Sequence, residues 1–95
     1  MSLGARNITQ RITVNTDAAV TLDGDGYSIP WPVNLTVLPG SGGTILVEWQ
    51  NAHGGSWTAW PHGTVSAKTV GILNGPVYAL RFTAAVANGI VEVAQ

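Results

Sequence analysis

The sequence predicts an all-β domain, a single antiparallel β-sandwich or small barrel of about eight short strands. Three observations carry this expectation. Apolar residues alternate with polar ones over short stretches instead of recurring every three to four positions. Glycine and proline, 12 and 5 of the 95 residues, interrupt the chain too often for a long helix. Turn chemistry separates the alternating stretches at regular intervals, with no helical segment between them, and the sandwich is the favoured arrangement.

The first strand falls at residues 8–14, where Ile8, Ile12 and Val14 share one face and Thr9, Arg11 and Thr13 the other. Period-two stretches follow at 19–22, 33–38, 44–50, 77–83 and 90–94, with shorter candidates at 56–60, 64–67 and 70–73. Between them lie Asp23-Gly24-Asp25-Gly26, Pro39-Gly40-Ser41-Gly42-Gly43, Gly54-Gly55, Asn74-Gly75-Pro76 and Asn88-Gly89, all of hairpin-turn composition. Parity assigns the faces. Ile45, Val47 and Trp49 oppose Leu46, Glu48 and Gln50, so Trp49 points to the core; Tyr78, Leu80 and Phe82 oppose Arg81 and Thr83. Val91 and Val93 oppose Glu92 in the last strand, which is expected to pair with its predecessor across Asn88-Gly89.

At 95 residues and 9.9 kDa the chain is expected to form one domain, 1–95, with residues 1–6 a flexible N-terminal segment. Surface scaling at this size buries about 64% of the unfolded chain's area, enough for a modest core without staples. None are available, because cysteine is absent, which removes disulfides and thiolate metal sites and favours folding inside the cell. Only 9% of residues are charged, against about 25% in average domains, and the net charge is −1. No run of Lys or Arg exists, so nucleic acid is not an expected partner. A hydrophobic share of 45% with so few charges predicts a surface partly covered by another chain. Residues 1–6 contain no long apolar stretch, and neither a signal peptide nor a membrane span is expected.

No catalytic, cofactor or metal site is expected. His53 and His62 lack an Asp, Glu, Cys or third His at ligand spacing and read as loop histidines. Gly40-Ser41-Gly42 lacks the spacing of a nucleophile elbow. Asp23-Gly24-Asp25-Gly26 resembles the start of a calcium loop, but Asn34 stands where the closing bidentate Glu is needed, and a turn is the better reading.

The candidate interaction residues are Trp31, Trp57 and Trp60. Pro30 and Pro32 bar Trp31 from a central strand, which sets it at an edge or corner. Trp57 and Trp60 have opposite parity, so in one extended strand they cannot both face the core; a bulge near Pro61 would fold both inward. An exposed Trp has two competing uses, an anchor in a protein interface or a platform for sugar rings.

The second half, from Thr44-Ile45-Leu46-Val47-Glu48-Trp49-Gln50 through His53-Gly54-Gly55-Ser56-Trp57 and Gly75-Pro76-Val77 to Ala79-Leu80-Arg81-Phe82-Thr83 and Val91-Glu92-Val93, resembles small β-sandwich proteins among the structural genes of tailed bacteriophages and prophages. The resemblance covers residues 44–95. Asn51-Ala52-His53 departs from the Asp-Gly-Gly form of that pattern. The resemblance implies a non-enzymatic virion component, a capsid decoration or cementing protein or a head or tail accessory, made in the bacterial host cytoplasm. Its expected partners are itself, as a homo-oligomer with a trimer favoured, and a larger viral protein lattice. A carbohydrate-binding sandwich using Trp31, Trp57 or Trp60 as a sugar platform is the alternative, with glycans as partners.

Overall fold

The computed structural model describes residues 10–23, 32–52, 54–75 and 77–94. Eight strands account for most of them: β1 (Gln10–Val14), β2 (Val20–Asp23), β3 (Val33–Leu38), β4 (Thr44–Gln50), β5 (Thr58–Val65), β6 (Thr69–Leu73), β7 (Ala79–Ala85) and β8 (Gly89–Ala94). No helix occurs among the described residues, and so none is long and apolar enough to cross a membrane.

The pairings are nested. β1 pairs with β8, β2 with β7, β3 with β6 and β4 with β5, every pair antiparallel. The chain is therefore one long hairpin with its tip between β4 and β5. Further pairing of β3 with β8 and of β4 with β7 rolls that hairpin into two four-stranded sheets. The first has the order β1-β8-β3-β6 and the second β2-β7-β4-β5. This is a jelly roll, a sandwich whose strands fill the two sheets in alternation.

The expected fold class stands, but the connections correct the sequence reading. β8 does not pair with β7: the two lie in different sheets, and β8 sits between β1 and β3. β2 and β3, β3 and β4, and β6 and β7 likewise lie in opposite sheets, so none of these pairs is a hairpin. Only the β4–β5 connection links neighbours in one sheet. Turn residues reverse the chain in either case, and local chemistry does not say into which sheet the reversal leads.

Parity builds the core as expected. Val33, Leu35 and Val37, then Ile45 and Val47, Leu80 and Phe82, and Val91 and Val93 are buried between the sheets. Trp49 packs against this cluster from its margin. Three positions depart from strict alternation, one of them Ala79, which shares the outward parity of Arg81 and Thr83 and is 2% exposed. Val77, which parity set outward, is 1% exposed while Tyr78 is only half-buried. Gln50, also set outward, is buried because the following loop folds over it, and its Nε2 donates to the Gly55 carbonyl at 2.7 Å.

The expected strands at 56–60 and 64–67 are one element, β5, broken by a bulge. Leu46 faces Thr64 and Glu48 faces Ala59, so the single residue Val47 stands opposite four residues, 60–63. Extra residues on one strand bend it and re-aim its side chains.

The three-residue β7–β8 arch contains a strained position. Val86 has φ 74° and is 83% exposed. A β-branched side chain in the left-handed region costs roughly 1–2 kcal/mol and gains no burial here. Val86→Gly is expected to stabilise the fold by about 1 kcal/mol, after allowance for the greater freedom of glycine in the unfolded chain. Urea titration checks this; a lower midpoint in the variant would show that Val86 is not strained.

Candidate interaction surface

The structure does not bring the three candidate tryptophans together. Trp31 lies outside the described residues. Trp60 is 2% exposed and corrects the reading of it as a docking side chain. The bulge turns its indole inward, where Nε1 donates to the Gly63 carbonyl at 2.7 Å and the ring meets His62 edge-on at 4.8 Å. His62 is thereby a packing partner, and His53 lies outside the described residues.

Trp57 is half-buried, on the opposite side of the second sheet. It precedes β5 in the loop that Gln50 anchors, and its ring lies 4.4 Å from the Arg81 guanidinium carbon. Arg81 points outward from β7, directly across from Glu48 on β4. Its Nε and Nη2 both donate to Glu48 Oε1, at 3.0 and 2.9 Å. The guanidinium thus meets the Glu48 carboxylate at its edge and the Trp57 indole on its face. Trp57→Ala removes a cation–π contact worth about 0.5–1 kcal/mol at a part-exposed site, so the melting temperature should fall by only a few degrees. A fall beyond about 15 °C in a thermal melt would make Trp57 a core residue instead.

The outer face of the first sheet went unremarked in the sequence. It should be the polar side of the alternation, yet Leu38, Val70, Ile72, Ile90 and Ala94 all project from it. Val70 and Ile72 on β6 are 58% and 52% exposed. Among the described residues of these four strands, Arg11 and Glu92 are the only charges, and they pair with each other at 3.2 Å. Beside that pair a cleft of about 440 Å³ opens, lined by Gln10, Arg11, Asn34, Thr36, Glu92 and the last residues of β8. The signal for this face was in the sequence: Val70, Ile72 and Leu73 are apolar on both parities, which a half-buried strand does not need.

No cluster of three His, Cys, Asp or Glu residues able to hold a metal exists among the described residues. The Asp23–Gly26 turn falls outside them apart from Asp23 at the end of β2. No family model matches the chain, and neither a curated protein nor a solved structure matches it.

Proposed function

We propose that the protein is a non-enzymatic structural component that works as a homo-oligomer seated on a larger protein lattice, as in the tailed-phage virion proteins its second half resembles. The observation that carries this reading is the outer face of the β1-β8-β3-β6 sheet. An antiparallel sheet of a lone sandwich keeps one face polar. Here that face presents five apolar side chains and one self-neutralised ion pair. Monomers keep such patches small, and charge depletion belongs to surfaces that work while covered. The jelly roll is a recurrent capsid architecture, which fits the reading without specifying it, since one fold hosts many functions.

The cleft favours a second reading, a glycan-binding module. Its amide, hydroxyl, guanidinium and carboxylate groups are hydrogen-bonding partners for sugar hydroxyls, and its volume is that of a small-ligand site. In this reading the cleft, and not a tryptophan platform, is the binding element.

Light scattering coupled to size exclusion over a concentration series separates the two. The assembly reading expects a closed oligomer with a mass that is a small multiple of 9.9 kDa. A monomer at every concentration overturns it, and glycan titration monitored by calorimetry then tests the cleft.

A further inference from the structure

We infer that β6 is the edge through which two copies of this chain pair, antiparallel and centred on Gly71, so that their first sheets join into one eight-stranded sheet. The inference rests on the assembly reading and adds to its apolar face, which stays open to the lattice, the edge through which copies join. Among the described residues, β6 pairs with β3 on one side and with no strand on the other. Such an edge offers a row of backbone donors and acceptors to any matching strand, and proteins normally blunt it with charge, proline, a bulge or shortness.

The other three edges carry those devices. β5 has Pro61 and the four-residue bulge. β1 carries Arg11 on its outer face, and two-fold pairing there would bring two guanidinium groups into one interface. β2 is four residues long. β6, Thr-Val-Gly-Ile-Leu, has none of them.

Its sequence is also self-complementary. About a two-fold axis at Gly71, Val70 of one copy faces Ile72 of the other, twice, and no like charges meet. β-branched pairs of this kind are the favourable cross-strand contacts of sheets. The four side chains, each more than half exposed in the single chain, form one apolar row on the outer face. Gly71 at the axis presents no side chain to the opposing backbone, while on the inner side it is already packed under Trp60 and His62. A two-fold contact of this type gives an isologous dimer in place of the trimer favoured from the sequence.

The test is a charge exchange on β6. The V70K/I72K variant places lysine against lysine twice and is expected to weaken association about tenfold or more, shifting the scattering mass from dimer to monomer at a fixed concentration. V70E/I72E should do the same. An equimolar mixture of the two should recover the dimer mass, because each new lysine then opposes a new glutamate. Thermal melts of each variant at low concentration establish that the fold is intact, since both positions are exposed. A wild-type oligomer that V70K/I72K leaves unchanged, or one of odd number, overturns the β6 pairing while assembly itself stands. A wild type that is monomeric throughout overturns both.

Discussion

Trp60→Ala is expected to lower stability by about 3–5 kcal/mol, the range for removing a large buried aromatic side chain. For a domain of this size that is a loss of roughly 12 °C or more in melting temperature, and it approaches the whole stability of a marginal fold. The site cannot collapse to fill the void. Trp60 stands where β5 of the second sheet meets β6 of the first, and its ring lies so close to Gly71 that a methyl group added there would come within 2.7 Å of it. The bulge exists in this form because Trp60 holds it: the indole donates to Gly63, whose φ of 62° suits glycine, and stacks edge-on against His62. Trp60→Phe should cost less, since it keeps most of the volume while losing the hydrogen bond, worth about 1 kcal/mol, and the packing of the second ring. Chemical denaturation of both variants beside Trp57→Ala decides the matter. A midpoint for Trp60→Ala within error of wild type would remove Trp60 from the core.

The two tryptophans also show how far the sequence could be read. Opposite parity said that one of them leaves the core in an extended strand, and one does: Trp57 lies on the outer face while Trp60 is buried. Which one was not legible, because it depends on four residues bulging opposite Val47, a feature without local periodicity. Val33–Leu38 and Thr44–Gln50 were legible to the residue, since each alternates over most of its length and has turn residues beside it. The pairing of β8 was not. Asn88-Gly89 has the composition of a hairpin, yet the nested arrangement sends β8 across to lie between β1 and β3. Sheet membership is a property of long-range packing, and in a jelly roll nearly every short connection changes sheet. The apolar outer face was missed for the same reason: Leu38, Ile90 and Ile72 meet only once β3, β8 and β6 are adjacent.

Gly40→Ala is expected to destabilise the domain by about 3 kcal/mol, at the upper end of the usual overpacking range. The β3–β4 and β7–β8 arches touch at one end of the sandwich, backbone against backbone. A Cβ on Gly40 would collide with the Asn88 carbonyl oxygen, and one on Gly43 would sit 2.8 Å from Ala87 Cβ and 2.9 Å from its amide nitrogen. A flexible side chain can swing away from such a clash, but a carbonyl fixed between two strands cannot. The arches are also held in place. Gly43 N donates to Gly40 O at 2.8 Å, and the Asn88 side chain accepts from Thr16 N at 3.0 Å, which ties in the β1–β2 turn. Relief of the clash would therefore have to shift three connections together. Gly75→Ala is the control, because a Cβ there meets nothing within 4 Å, and it should change stability by no more than about 0.5 kcal/mol. Urea titrations of the two variants should differ by about 3 kcal/mol; equal midpoints would mean that the arches do not pack as described, and the register of the rolled hairpin at that end would have to be redrawn.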